Sequence, residues 1–401
     1  MLLIVLVISS VIIISCNHAP KDFQEGTYGY DKTFFVENDI YFLELTSSDN
    51  HSRVLIVPAY QGRVMTSTSG GDNGRSNGWI NYSLIESGRT DPRFNAYGGE
   101  DRFWLGPEGG PFSLFFNEGD EQIFENWIVP PVIDKESFDV EYSNSNRVKF
   151  KKETSVVNAH GTVFHLGIER TISLLSKSDI SDLLGVDIPE SLNVVAYESD
   201  NVITNRGDQP WSSEKGLLSI WILGMFNPSP ATTVFIPYNP DIEGVIVNDE
   251  YFGKVPDDRL VVDDNMVYFK ADGQYRSKIG IPPGRAKELS GSYDPENGVL
   301  ILVWCSLPDE PDHYVNSNWG YQDNPYEGDV INSYNDGPLD DGSILGPFYE
   351  LETSSPAIAL QPSESAGHIQ RVINFEGEEE ELAILVMALF NLDINIISTR
   401  F

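Results

Sequence analysis

Cysteine is scarce in this sequence of 401 residues, which contains only Cys16 and Cys305. No disulfide framework is therefore expected in the mature chain. Cys305 lies in the apolar run "GVLILVWCSL", where a single thiol most often packs in a core. We assign Cys305 no catalytic role.

Basic side chains are also scarce. The chain has 26 lysines and arginines against 61 acidic residues, which gives a net charge of −35. A charge of this sign repels phosphate backbones and argues against a nucleic-acid partner. A neutral or cationic ligand is favoured instead.

The sequence lacks the usual patterns of metal and nucleophile sites. No pair of its six histidines has metal-ligand spacing, and neither a His/Cys cluster nor a G-x-S-x-G motif is present. Zinc and serine hydrolases are therefore disfavoured. The acidic segment "NDGPLDDGS" (335–343) offers oxygen ligands without regular calcium-loop spacing, so solvated turns are the favoured interpretation. We predict no cofactor, with calcium at this segment as the alternative.

No hydrophobic run at the N-terminus is long enough to span a bilayer. Residues Leu2 to Ile14 have the length of a signal-peptide apolar core. The run, with a small residue before Cys16, resembles a bacterial lipoprotein signal, which implies lipidation of Cys16. By the same resemblance Asn17 favours the outer membrane. A non-cleaved N-terminal anchor is the alternative.

The resulting domain prediction has three parts. They are a signal peptide over residues 1–16, an N-terminal tether over 17–32 and a single domain over 33–401. The expected location is the cell envelope, with a lipid anchor.

Helical periodicity is almost missing, whereas alternation of apolar and polar residues recurs from end to end. In "TVFHLGIERTISLL" one face carries Phe164, Leu166, Ile168, Ile172 and Leu174. This pattern predicts a long half-buried strand.

Turn residues between short alternating runs predict hairpins. The predicted pairs are 138–142 with 147–154, 244–248 with 251–255, and 259–264 with 265–272. Only "SDISDLLG" (178–185), with a serine cap and a closing Gly185, indicates a helix. The predicted fold class is all-β, with large antiparallel sheets packed face to face in one sandwich and few short helices.

Four segments depart from plain alternation. They are residues 59–85, 95–116, 201–226 and 346–375. In the second segment, strand spacing places Glu100, Arg102 and Trp104 on one face. Such a combination suits a sugar, because sugars present both polar hydroxyls and an apolar face. The alternative is a buried Arg–Glu pair that braces two strands.

The fourth segment contains Glu350 and Glu352, which lie two residues apart and so share a strand face. Repulsion between like charges raises one pKa, so one carboxyl can act as acid and the other as base. Two glutamates on a solvated sheet face are the alternative. His368 follows and is the best histidine for proton transfer, although a lone histidine is more often structural.

Other candidate site residues come from the remaining segments. Glu108 is a third candidate carboxylate, and the candidate substrate-binding residues are Arg63, Asn81, Trp221 and Trp319. Trp319 lies in the loop "VNSNWGYQDNPYEGD", whose composition is suited to closing over a saccharide.

Taken in order, "GRVMTS", "GGEDRFWLGPE", "TNRGDQPW" and "ELETSSPAIALQPSES" resemble the galactose mutarotase-like superfamily of aldose 1-epimerases. They are most similar to a branch of secreted bacterial proteins within it. The resemblance implies a supersandwich with a carbohydrate cleft on the concave face of one sheet. It also implies a histidine on a central strand and a glutamate near the C-terminus as acid and base. The corresponding strand, "LLSIWILGMFNP", carries Trp221 and no histidine.

The predicted function is a lipid-anchored, carbohydrate-active protein with epimerase-type acid–base chemistry. One of Glu350, Glu352 and Glu108 takes a proton, His368 or a partner carboxyl gives one, and Arg102 holds a sugar oxygen. The alternatives are a non-catalytic glycan-binding lipoprotein of a saccharide uptake system and a lyase or hydrolase on the same scaffold. The expected partners are a saccharide and, through the anchor, a membrane, and a monomer is expected.

Overall fold

The computed structural model describes residues 23–309, 312–339 and 342–401. Cys16 and the predicted signal peptide lie outside these ranges. Within the ranges the strands are β1 Leu43–Thr46, β2 Arg53–Val57, β3 Arg63–Thr68, β4 Arg102–Gly106, β5 Asp139–Ser143, β6 Arg147–Val157, β7 Val163–Leu175, β8 Asn193–Asn205, β9 Ser219–Phe226, β10 Thr233–Pro237, β11 Leu260–Val262, β12 Met266–Lys270, β13 Ser277–Ile281, β14 Leu289–Asp294, β15 Val299–Cys305, β16 Ile331–Asn335, β17 Tyr349–Ser354 and β18 Ser365–Glu376. The α-helices in the same ranges are α1 Tyr28–Glu37, α2 Tyr82–Glu86, α3 Pro131–Asp134, α4 Lys177–Leu184, α5 Glu379–Phe390 and α6 Ile394–Ser398.

In the described part of the chain the strands form three antiparallel sheets. The largest has ten strands in the order β11-β12-β10-β14-β15-β18-β8-β7-β6-β5. The second has five strands, β13-β16-β17-β9-β4, and the third joins β1, β2 and β3. The predicted fold class, large antiparallel sheets with few short helices, is confirmed.

The main core lies between the ten-stranded and the five-stranded sheet. Phe164, Leu166 and Ile168 of β7 are buried, as the alternation predicts. They belong to the same apolar cluster as Phe103 of β4 and Ile222 of β9. Burial of each such side chain contributes about 2 kcal/mol. Phe103 and Ile222 thus lie on the side of β4 and β9 that faces the ten-stranded sheet.

Two of the three predicted hairpins are present, as β5 with β6 and β11 with β12. The hairpin predicted from 244–248 and 251–255 is wrong. Asn248 forms an isolated bridge with Gly280 of β13 instead. Gly244 and Gly253 have φ angles of 99° and 93°, which interrupt the extended backbone.

Helices also differ from the prediction. The N-cap of α4 is Ser176, two residues before the predicted cap Ser178. The helix ends at Gly185, which has the left-handed conformation. α5 was not predicted, because its apolar run also suits a strand. α1 begins within the predicted tether, so the predicted boundary at residue 33 falls inside a helix. None of the helices in the described ranges has both the length and the hydropathy needed to cross a membrane.

Candidate functional site

The candidate site lies on the side of the five-stranded sheet that is turned away from the ten-stranded sheet. Trp104 pairs with Trp221, and Leu223 pairs with both Arg102 and Glu352. Paired residues on neighbouring strands point to the same side of a sheet. We call this side the carboxylate face, and its defining side chains are Arg102, Trp104, Trp221, Lys278, Glu350 and Glu352.

Glu350 is held by Arg102. The Nη2 atom of Arg102 donates to Oε1 of Glu350 at 2.9 Å, and both side chains are buried. Burial raises the pKa of Glu350 to about 7; Arg102 opposes this rise and the charge of Glu352 adds to it. The alternative interpretation, a buried Arg–Glu pair that braces two strands, therefore applies to Arg102 and Glu350, and the pair lies within the predicted site.

Glu352 is held by a different pair of donors. Its Oε2 atom accepts from Nζ of Lys278 at 2.8 Å and from Nε1 of Trp221 at 2.9 Å. The Lys278 ammonium lies 4.8 Å from the centre of the Trp221 ring and 5.4 Å from that of Tyr251. Such packing fixes the lysine beside one carboxylate oxygen. The second oxygen of Glu352 is left for another partner.

Glu108 lies on the loop that follows β4 and is partly exposed. Burial raises its pKa, the positive charge of Lys278 lowers it, and the negative charge of Glu352 raises it. Glu108 therefore shares one electrostatic environment with Lys278 and Glu352. The structure therefore places Glu108 near Glu352 and Lys278, while its role in a site stays a prediction.

Aromatic rings form one wall of the site. The rings of Trp104 and Trp221 meet edge to face at 5.5 Å, and the Arg102 guanidinium lies 4.3 Å from the centre of the Trp104 ring. Trp319, on the loop before β16, is partly exposed and stacks on Trp127 at 6.2 Å. The site therefore combines apolar ring surface with charged groups, as a sugar site requires.

Several buried polar atoms on this face have no hydrogen-bond partner among the described residues. They are Nε and Nη1 of Arg102, Nε1 of Trp104 and Oε1 of Glu352. Buried polar atoms in native proteins are nearly always paired with protein or water. A ligand or ordered water at the carboxylate face would satisfy them.

The edge of the site contains residues that the sequence analysis missed. The hydroxyl of Tyr251 donates to Asp329, and Nδ2 of Asn332 donates to the same hydroxyl at 3.0 Å. Burial raises the pKa of Asp329 to about 6. Lys278 was also missed, although a lone lysine inside the apolar strand "SKIGI" is a usable signal. Nothing local to Tyr251 or Asp329 marks them.

Comparison with known proteins gives a family. Residues 26–401 match the model of DUF6786, described as a family of unknown function. The chain belongs to this family. No significant match was found among curated proteins.

Solved structures similar to this DUF6786 protein cover most of its length. The Slr1438 protein from Synechocystis sp. PCC 6803 has 14% identity and a TM-score of 0.50, with 84% of this chain and 96% of that chain covered. A putative aldose 1-epimerase from Escherichia coli K12 has 11% identity and a TM-score of 0.48, with 84% and 99% covered. A galactose mutarotase-like protein from Lactobacillus casei ATCC 334 has 11% identity and a TM-score of 0.47, also with 84% and 99% covered. The likeness to Slr1438 is one of fold alone.

His368 of the DUF6786 chain does not join the carboxylates, so that prediction is wrong. It lies on β18 of the ten-stranded sheet, with Nε2 2.8 Å from Oγ1 of Thr353. Thr353 points to the core side of β17, opposite to Glu350 and Glu352. Burial lowers the pKa of His368 to about 4, so the imidazole is neutral at physiological pH.

Glu100 also lies away from the carboxylate face, contrary to prediction. Its Oε2 atom accepts from Ser67 of β3 at 2.9 Å and from Asn374 of β18 at 3.1 Å, between the three-stranded and the ten-stranded sheet. Alternation does not extend to Glu100, because β4 begins only at Arg102. The preceding glycines, at positions 98 and 99, have φ angles of 95° and 109° and turn the chain.

Arg63 and Asn81, predicted to bind substrate, instead form hydrogen bonds that stabilise the local fold. Nη1 of Arg63 donates to the carbonyl of Gly98 at 3.0 Å, and burial, with the charge of Arg102, lowers its pKa to about 9. Asn81 caps α2 by accepting from the amide of Leu84 at 3.1 Å. Neither has a contact with the glutamates of the carboxylate face among the described residues.

Metal ligation finds no support in the part of the chain that the structure describes. There, no group of three or more His, Cys, Asp or Glu side chains is placed to hold an ion. Residues 340 and 341 of the acidic segment 335–343 lie outside that part.

Proposed function

We propose that the protein binds a saccharide on the carboxylate face and catalyses acid–base chemistry at its anomeric carbon, as aldose 1-epimerases do. The observation that carries the proposal is the free Oε1 atom of Glu352. This atom is buried beside two further carboxyls of raised pKa, Glu350 and Glu108, and beside indole rings.

Binding uses the mixed character of the face. The apolar side of a pyranose stacks on indole rings, and the partly exposed Trp319 supplies such a ring. Trp104 is buried, and its unpaired Nε1 donates to a sugar oxygen. The free N–H groups of Arg102 donate to sugar oxygens, as guanidinium groups do in many polar sites. The resemblance of the sequence motifs to aldose 1-epimerases supports the same ligand class.

The chemistry needs one base and one acid. Oε1 of Glu352 takes the proton of the anomeric hydroxyl while the bond between the anomeric carbon and the ring oxygen breaks. Glu350 gives a proton to that ring oxygen, because its pKa, raised to about 7, keeps this carboxyl partly protonated close to neutrality; Glu108, whose pKa is also raised by burial, is the alternative donor. Rotation of the open-chain aldehyde and reversal of both transfers yield the other anomer. No histidine is required.

Optical rotation tests this proposal. Starting from a pure anomer, the wild type is expected to speed mutarotation of at least one sugar in a panel. Glu352→Gln is expected to lower kcat at least 100-fold, since general-base catalysis contributes about that much. Glu125→Gln, at an exposed position, is the matched control. No acceleration of any sugar by the wild type would exclude the epimerase activity.

A non-catalytic glycan-binding role is the second candidate. The observation in its favour is the placement of His368 in the core, since none of the histidines that the structure describes then belongs to the carboxylate face. A binder is expected to gain thermal stability with an oligosaccharide while converting none of it. Trp104→Ala is expected to remove that gain.

We also propose that Cys16 is lipidated and anchors the protein in the cell envelope, at the outer membrane. The apolar run before Cys16 supports this location. Cys16→Ser is expected to move the protein from the membrane fraction to the soluble fraction. Retention of the variant in the membrane fraction would contradict lipid anchoring.

A further inference from the structure

The motif "TNRGDQPW" does not lie on the carboxylate face. It follows β8 and, together with the turn before β7, lines a groove of about 390 Å³. This volume is in the range of small-molecule sites. We call it the distal groove, and the lining residues used below are His160, His165, Asp208, Gln209, Trp211 and Lys215.

The distal groove offers unused polar groups over an apolar floor. Among the described residues, the side chains of Asp208, Gln209 and Lys215 have no hydrogen-bond or ion-pair partner. His165 uses Nδ1 for Ser155 at 2.7 Å and has its second ring nitrogen free. Trp211 forms the floor and packs on Phe164. Free donors and acceptors beside aromatic surface suit a saccharide better than an apolar ligand.

Exposed rings connect the distal groove with the carboxylate face. Phe112 and Tyr326 are partly exposed and stack at 6.1 Å, and the His160 ring lies 5.7 Å from Phe112. Phe112 lies four residues after Glu108, a stretch of chain that spans at most about 14 Å. The hydroxyl of Tyr326 donates to the carbonyl of Ser213 at 2.7 Å, which joins its loop to the groove segment.

From this continuity we infer that the ligand is an oligosaccharide, whose end lies on the carboxylate face and whose further sugar units lie over Phe112 and Tyr326 into the distal groove. The inference rests on the proposed function and adds the length of the ligand to it. The exposed parts of these two rings provide apolar surface on which successive sugar units pack. The free groups of Lys215 and Asp208 bind hydroxyls of the distal unit.

Titration calorimetry with a series from monosaccharide to tetrasaccharide tests the inference. The series is made from the sugar that the wild type binds in the panel described above. The wild type is expected to bind the tetrasaccharide at least tenfold more tightly than the monosaccharide. In Phe112→Ala and in Lys215→Ala this ratio of dissociation constants is expected to fall towards one. Tyr142→Ala, an exposed aromatic residue on the edge strand β5, is the matched control and is expected to keep the wild-type ratio.

The outcomes separate this inference from the proposed function. If the wild type binds or converts a monosaccharide and its affinity does not rise with added sugar units, the role of the distal groove is contradicted and the proposed function is not. A gain with length that survives both Phe112→Ala and Lys215→Ala, in variants with the wild-type melting temperature, contradicts the inference as well. Absence of binding and conversion for every sugar contradicts the proposed function and the inference together.

Discussion

Glu350 and Glu352 share one strand face but differ in their partners. Arg102 holds one oxygen of Glu350, whereas Lys278 and Trp221 hold one oxygen of Glu352. The pKa of Glu350 is raised to about 7, so this carboxyl exchanges a proton near neutrality. Two carboxyls with different partners on one face give the separation of acid and base that the proposed chemistry requires.

Part of the site could be predicted from the sequence because its members lie inside strands. Arg102 with Trp104, and Glu350 with Glu352, are spaced by two, and alternation alone fixes their common side. Lys278 comes from a segment 72 residues before Glu350 and 174 residues after Trp104. Its position depends on strand pairing, which no local pattern specifies.

Glu100 gives a prediction on the pH dependence of stability. Burial raises its pKa to about 7 from an ordinary value of 4.5. A carboxyl with a raised folded-state pKa stabilises the fold below the unfolded-state pKa and loses that contribution as pH rises through the folded-state pKa. The melting temperature is therefore expected to fall between about pH 4.5 and pH 7, and Glu100→Gln is expected to reduce this fall by a few degrees.

Thermal unfolding by circular dichroism across this pH window measures the effect. Glu125→Gln changes an exposed carboxyl and is expected to leave the pH profile as in the wild type. A profile for Glu100→Gln that is identical to that of the wild type would contradict the assignment.

At the scale of elements, alternation of apolar and polar residues predicts the strands that have one buried and one exposed face. β7 is the clearest case, because Phe164, Leu166, Ile168 and Ile172 are all buried in one core. Alternation failed over residues 244–255, where Asn248 bridges to β13 rather than to its neighbour in sequence. It also failed for α5, since a run of apolar residues suits a strand and a helix alike.

The start of α4 gives a prediction that separates two serines. Oγ of Ser176 accepts from the amide of Asp179, whose carboxylate accepts from the amide of Ser176. Ser176→Ala is expected to lower the free energy of unfolding by about 1 kcal/mol. Urea unfolding measures this change in free energy. Ser178→Ala, at the second residue of the helix, is the control, and its expected change is within about 0.5 kcal/mol. Equal effects of the two substitutions would show that Ser176 is not the cap.

At the scale of the whole molecule, the order of strands decides which side chains meet. β18 pairs with β8 and β15, and this places His368 between the sheets. The sequence separations in these pairs exceed fifty residues, so order in the chain says little about order in the sheet. Proximity of His368 to Glu352 in sequence was therefore a poor guide to proximity in space.

The ion pair of Asp101 and Arg170 gives a prediction at this scale, because it joins β7 of the ten-stranded sheet to the residue that precedes β4 of the five-stranded sheet. Both side chains are fully buried, and Ser199 and Gln370 also donate to Asp101. Asp101→Asn leaves the charge of Arg170 buried without its partner, which is expected to lower the free energy of unfolding by about 3–5 kcal/mol.

Chemical denaturation of the variant tests the pair. The control is Glu153→Gln, which breaks the exposed pair with Arg206 and is expected to cost less than about 1 kcal/mol. A loss for Asp101→Asn as small as that of the control would mean that the pair does not hold the sheets together.

A crystal structure with a bound reducing sugar tests the central claim most directly. The sugar is expected on the carboxylate face, against Trp104, with its anomeric hydroxyl about 2.6–3.2 Å from Oε1 of Glu352. A sugar bound only elsewhere on the protein, with water alone beside Glu352, would contradict the account.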